Sequence, residues 1–243
     1  MRLLILVLCV AAAASSASGQ EAAVGSYGQA PQPSDGVPSP TADLAISALT
    51  AALRDVEPRV RQAAVLALTE MGPLGRAAIP ELAQRVRDPD SFIRMDAAHA
   101  LAKLGAASVP SLVQLLRDAD PRVRELAART LMEIPTQATA AIPALIERLG
   151  DVEPRVRQAA VLVLTEIGSA SRPAIPALAQ TVRDPDSYVR IDAAAALVKQ
   201  GPISVPAIVP LLRDEDSRVR ELAAETLRKI AADLTGEPDK GRR

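Results

Sequence analysis

Six aspartate–arginine pairs are the residues whose type and spacing could do chemistry in this chain. Asp55 and Arg61, Asp88 and Arg94, Asp118 and Arg124, Asp151 and Arg157, Asp184 and Arg190, and Asp214 and Arg220 each stand six positions apart. Carboxylate and guanidinium groups form bidentate, charge-assisted hydrogen bonds, so such pairs suit structural rungs; a row of arginines alone could instead bind an anion. Other chemistry has few carriers. His99 is the single histidine and Cys9 the single cysteine, too few for a Cys/His metal site of three or four ligands. His99 would also be the one imidazole available to a catalytic triad. No catalytic, metal-binding or cofactor-binding residue is assigned, and no cofactor is expected.

Charge and aromatic content narrow the partners. Lys and Arg number 28 against 29 Asp and Glu, for a formal net charge of −1, whereas nucleic-acid affinity rests on a basic surplus. There is no Trp, and the aromatics are Tyr27, Phe92 and Tyr188, which nearly excludes a platform for stacking bases or sugars. A nucleic-acid partner is not expected.

The elements that must position these residues begin after a leader. Arg2 precedes an apolar run over residues 3–14 and small residues over 15–19, the n-region, h-region and cleavage zone of a secretory signal. Cleavage after Ala17 or after Gly19 both fit. The apolar run is shorter than the ~18–20 residues of a membrane span, so no membrane insertion is expected after cleavage, and Cys9 leaves with the signal. Residues 20–40, rich in Gly, Pro, Ser and Gln, read as a disordered linker. Residues 236–243 form a polar tail. The chain is expected to be exported, to the periplasm or the extracellular space.

Residues 41–235 are repetitive. Segment 55–66 recurs unchanged at 151–162, 96 residues later, and the six aspartates are spaced by 33, 30, 33, 33 and 30. A triplet of repeats has therefore been duplicated. Each repeat reads as two helices. Pro58, Pro121 and Pro154 suit a first helical turn, and Glu57, Asp90, Asp120, Glu153, Asp186 and Asp216 place negative charge at that positive end. Val60, Ala64, Ala67, Leu68 and Met71 form an apolar stripe of helical period in repeat one, and Ile93, Ala97, Ala100, Leu101 and Leu104 in repeat two. Gly72, Gly105, Gly168 and Gly201 are helix stops. First helices open at Ile79-Pro80, Val109-Pro110, Ile142-Pro143, Ile175-Pro176 and Val205-Pro206. Repeat one, with Ile46-Ser47, departs from this as a terminal cap does.

The pattern Val-Arg-x-x-Ala-Ala-x-Ala-Leu, carried by residues 93–101 (with Ile93 for Val) and 189–197, resembles the HEAT repeat, in its phycobilin-lyase-type (PBS lyase) variant. The resemblance implies an all-α fold, a right-handed α-α superhelix (HEAT/armadillo-type solenoid) of six two-helix repeats. It implies that the Asp and Arg of each pair stack along the solenoid as a ladder, and that second helices line the face where partners dock. It also raises an enzyme or accessory alternative, a lyase or a deoxyhypusine-hydroxylase-like iron oxidoreductase. The latter family's His-Glu metal pairs have no counterpart here, since His99 precedes Ala100.

Aligned second helices share a further stripe, at positions two before, one after and five after the ladder arginine. Four repeats carry Arg59, Gln62, Leu66; Arg122, Glu125, Arg129; Arg155, Gln158, Leu162; and Arg218, Glu221, Glu225. The other two carry Phe92, Met95, His99 and Tyr188, Ile191, Ala195. Loss of the imidazole at Ala195 argues against a function for His99. Phe92, Met95, Tyr188 and Ile191, with Arg59, Arg122, Arg155 and Arg218, are the candidate partner-binding residues, because aromatic, Met and Arg side chains are enriched at interfaces. Ordinary packing against a neighbouring helix is the alternative. The two aromatic islands lie three repeats apart, roughly 30 Å at ~10 Å per repeat, which suits an extended or repeated ligand or a relic of duplication. The expected function is an exported, monomeric scaffold for an unidentified protein partner, without catalysis.

Overall fold

The computed structural model describes residues 40–235. The expected signal, nearly all of the linker and the tail lie outside the described residues. Twelve α-helices, joined by turns and 3-10 segments and with no strand, make up the described residues. They divide into two compact units, one ending at Leu104 and one beginning at Gly105.

The first unit holds α1 (Pro40–Ala52), α2 (Pro58–Glu70), α3 (Ile79–Arg85) and α4 (Ser91–Leu104). Each odd helix packs on the even helix after it, and α2 packs beside α4. The second unit holds α5 (Val109–Leu115), α6 (Pro121–Met132), α7 (Ile142–Arg148), α8 (Pro154–Ile167), α9 (Ile175–Thr181), α10 (Ser187–Gln200), α11 (Val205–Ile208) and α12 (Ser217–Thr235). Here α6, α8, α10 and α12 lie in one layer, each packed beside the next, and the shorter first helices pack against them. Two helices per repeat, six times, is the armadillo/HEAT architecture.

Small and branched aliphatic residues fill the cores. Leu53, Leu68 and Leu82 are fully buried in the first unit, and Leu131, Leu145, Leu164 and Leu178 in the second. The expected stripe of repeat two, Ile93 to Leu104, is buried throughout. Repeat one differs: Val60, Ala67 and Met71 are half-buried, and Val65 is buried in addition to Ala64 and Leu68. As the first described repeat it has a neighbouring repeat on one side, so a narrower part of its second helix is covered.

Helix ends follow local chemistry. Pro58, Pro121 and Pro154 are the first residues of α2, α6 and α8. The aspartates before second helices accept backbone hydrogen bonds, Asp120 from Arg122 and Asp186 from Tyr188 and Val189. Glu57 and Glu153 make no such bond, because the extra methylene carries the carboxylate past the first-turn amides. The helices stop at Gly168 and Gly201, whose φ values of 69° and 71° favour glycine. Buried Ser171 then donates to the carbonyls of Leu164 and Gly168 at 2.6 and 2.7 Å, and Ser204 to Leu197 and Gly201 at 2.8 and 2.6 Å. These bonds satisfy acceptors that the last helical turn leaves open.

The alternation of period lies in the connectors. The 3-10 segments Gly72–Ala78 and Gly168–Ala174 have seven residues, whereas Gly105–Ser108 and Gly201–Ser204 have four. The difference of three is that between the 33- and 30-residue spacings.

Candidate protein-interaction face

The arginine of each pair opens a second helix, which brings its guanidinium back over the preceding turn. Arg61 Nη1 donates to the carbonyls of Asp55 and Val56 at 3.0 and 3.1 Å, while Nε and Nη2 grip Asp88 of the next repeat at 2.8 and 2.9 Å. Arg124 grips Asp151 through two bonds of 2.7 Å, and Arg157 grips Asp184 at 2.6 and 2.7 Å. Each rung therefore joins a repeat to its successor, and the contact within a pair is to the aspartate's main chain. Arg85 and Arg148 add bonds of 3.3 and 3.2 Å to Asp88 and Asp151.

Arg61, Arg124 and Arg157 and the aspartates they grip are buried, and their charges sustain one another. Burial pushes the Asp88 and Asp151 carboxyls up, but the Arg61 and Arg124 hydrogen bonds, the amides of Asp90 and Glu153 and the arginine charges outweigh it, so both sit below the ordinary aspartate value. Hydrogen bonds to Asp88, Asp151 and Asp184 hold Arg61, Arg124 and Arg157 above the ordinary arginine value. With Nε, Nη1 and Nη2 all engaged, these three guanidiniums have no edge left for an anion.

The last expected rung takes another form. Arg190 donates to the carbonyls of Asp184 and Pro185 at 2.7 and 3.0 Å, and Asp214 accepts instead from Arg183 Nε at 2.5 Å. Arg157 and Asp184 are 27 residues apart, but the shorter repeat leaves 24 between Arg190 and Asp214. That repeat also follows its four-residue α11 with the 3-10 segment Val209–Arg213, so its turn arrives differently at the preceding hairpin. Arg94 and Arg220 likewise donate to their own turns, at Asp88 and Pro89 and at Asp214 and Glu215.

The second-helix stripe faces outward. Phe92 is 69% exposed, Met95 63%, Tyr188 70% and Ile191 56%, values that exclude packing into a neighbouring helix. Arg59, Arg122, Arg155 and Arg218 are exposed, as are His99 and Ala195. In the first unit Arg59, Gln62 and Leu66 stand on α2, and Phe92 and Met95 on the neighbouring helix α4. In the second, Arg122, Arg155, Tyr188 and Arg218 occupy the same repeat position on α6, α8, α10 and α12.

Two residues that sequence reasoning overlooked organise this face. Gln62 Nε2 donates to Asp96 at 2.9 Å, and Gln158 Nε2 to Asp192 at 2.8 Å. A signal was present: two positions after the ladder arginine, the aromatic-bearing repeats have Asp, where the others have Ala63, Leu126, Ala159 and Leu222. On the second unit Lys199 also pairs with Glu166 at 3.3 Å. Beside them runs a groove of about 300 Å³, lined by Ile191, Ala195 and Val198 of α10 and by Leu222 and Thr226 of α12. Among the described residues no cluster of three or more His, Cys, Asp or Glu could hold a metal ion.

Known proteins share this architecture. The HEAT repeats family matches residues 46–132, 109–198 and 175–240. No curated protein sequence matches the chain. Among solved structures it is similar to computationally designed armadillo repeat proteins for modular peptide recognition, at 19% identity over 76% of this chain and 99% of theirs, with a TM-score of 0.50. It is also similar to an engineered protein, at 26% identity over 77% and 96% of the two chains and a TM-score of 0.48. A third is the complex of CpcE and CpcF of phycocyanin lyase from Nostoc sp. PCC7120, at 27% identity over 85% and 84%, with a TM-score of 0.47. Three family matches that together span both units, on a chain of stacked two-helix repeats, place this protein in the HEAT repeats family.

Proposed function

We propose that the chain is an exported HEAT-repeat scaffold that binds a protein partner through its exposed second-helix face and has no catalysis of its own. The observation that carries this is the exposure of Phe92, Met95, Tyr188 and Ile191 among exposed arginines at one repeat position. Covering such side chains regains about 25 cal/mol per Å² of apolar area, and aromatic, Met and Arg residues supply interface hot spots. The designed armadillo proteins of like fold are made for modular peptide recognition, a use that fits this face. Export rests on Arg2, the apolar run 3–14 and the small residues 15–19.

Photo-activated cross-linkers placed at 92 and at 188 test the face in the native cells. Adducts to a protein are expected at both positions. Control positions 84 and 180, exposed on the first helices α3 and α9, should give none. Equal adducts at all four positions would remove the face from the proposal.

A further inference from the structure

We infer that the chain carries two equivalent docking sites, one in each unit, and that each takes the same kind of short protein segment, a carboxylate next to an apolar side chain. This rests on the proposed role of the face and adds to it the partner's chemistry and the valency.

Each site is complete within its own unit. In the first, α2 presents Arg59, Gln62 and Leu66, and α4 presents Phe92, Met95 and Asp96. In the second, 96 residues on, α8 presents Arg155, Gln158 and Leu162, and α10 presents Tyr188, Ile191 and Asp192. The exchanges between copies, Phe92 for Tyr188 and Met95 for Ile191, keep a ring and an apolar chain at both places. The third and sixth repeats put charge there instead; Glu125, for example, pairs with Arg129 at 2.7 Å.

The charges in each site decide the partner. The carboxylates of Asp96 and Asp192 are held by Gln62 and Gln158; in the second unit Glu166 is held by Lys199, and in the first its counterpart Glu70 stands at the opposite end of α2 from Arg59. Glu57 and Glu153 sit at helix N-caps, where the macrodipole favours them. Among the described residues the Arg59 and Arg155 guanidiniums have no hydrogen-bond or ion-pair partner, and Tyr188 has a second such group, Arg218, on its other flank. A planar guanidinium on the helix packed next to the one that carries an exposed ring can take a carboxylate bidentately while the ring packs the neighbouring apolar side chain. A basic segment would meet repulsion at the same place.

A monovalent probe tests both halves of the inference. The peptide acetyl-Gly-Ser-Glu-Leu-Ser-Gly-amide is titrated into the full chain to millimolar concentration and followed by amide NMR shifts. Peptides with Lys-Leu and Glu-Ser at the centre are the comparisons. The Glu-Leu peptide is expected to shift α2/α4 and α8/α10 together. Phe92→Ala with Met95→Ala should lose the first set alone, and Tyr188→Ala with Ile191→Ala the second alone. Arg59→Glu and Arg155→Glu should each weaken their own site about tenfold or more. All these side chains are exposed, and unchanged helicity by circular dichroism confirms the fold. Shifts confined to one unit would overturn the valency, and equal or tighter binding of the Lys-Leu peptide would overturn the chemistry. Phosphatidylglycerol vesicles that bind the chain and release it on Phe92→Ala/Tyr188→Ala would assign the face to a membrane and overturn both. If no peptide shifts either face while cross-linking at 92 and 188 succeeds, this inference falls and the broader function stands. If cross-linking fails as well, both fall.

Discussion

Arg157 holds Asp184, 27 residues later in the chain, through two hydrogen bonds of 2.6 and 2.7 Å, with both side chains buried. The same guanidinium reaches back through Nη1 to the carbonyl of Asp151 at 2.8 Å. One side chain thus ties its own turn to the next repeat, and this unit is a stack because such ties recur.

Asp184→Ala should therefore cost far more than Asp55→Ala. The first leaves a buried guanidinium without its carboxylate, a loss of about 3–5 kcal/mol. The second removes a carboxylate that accepts the Glu57 amide at 2.8 Å, worth about 1 kcal/mol. Urea denaturation followed by circular dichroism measures both.

Acid should loosen the ladder. Asp88 and Asp151 sit below the ordinary aspartate value when folded, so the unfolded chain takes up protons first as pH falls. Their contribution is present above the ordinary value and is lost as pH drops through the folded one. The urea midpoint should hold steady from pH 8 to about 5 and fall below about pH 4. Asp151→Asn should lower the midpoint at neutral pH and make the acid decline shallower. An unchanged acid slope would count against the rung as its source.

The proposed interaction face should be dispensable for folding. Phe92→Ala and Tyr188→Ala should shift stability by no more than about 0.5 kcal/mol, since both rings are mostly exposed. Leu197→Ala, in the fully buried layer of the helix that carries Tyr188, should cost about 2–5 kcal/mol. Thermal melts distinguish the two cases.

The proposed export would leave a chemical signature. Protein recovered from the native envelope should begin at Ser18 or at Gln20, and N-terminal sequencing reads this directly. An intact Met1 on that material would remove the cleaved signal from the proposal.

The local structure was legible because its causes are local. Pro58, Pro121 and Pro154 mark helix starts and Gly168 and Gly201 helix stops through backbone geometry that one or two residues dictate. The 3.6-residue period likewise placed Phe92 and Met95 together on one helix face. The duplicated spacing revealed that Tyr188 and Ile191 occupy the same address. Even the three-residue difference between repeats was visible, although the connectors that absorb it were not.

What remained hidden depends on how one hairpin lies against the next. A spacing of six residues could not show that Arg157 grips Asp184 and reaches only the carbonyl of Asp151, or that Arg183 replaces Arg190 at Asp214. Nor could it show that Gln62 and Gln158 close onto Asp96 and Asp192, or that α10 and α12 leave a groove between them. Periodicity decides which side of a helix a residue occupies. The choice between a neighbouring helix and water at that side is made by packing across residues some thirty positions apart, and here packing left the rings of Phe92 and Tyr188 in water.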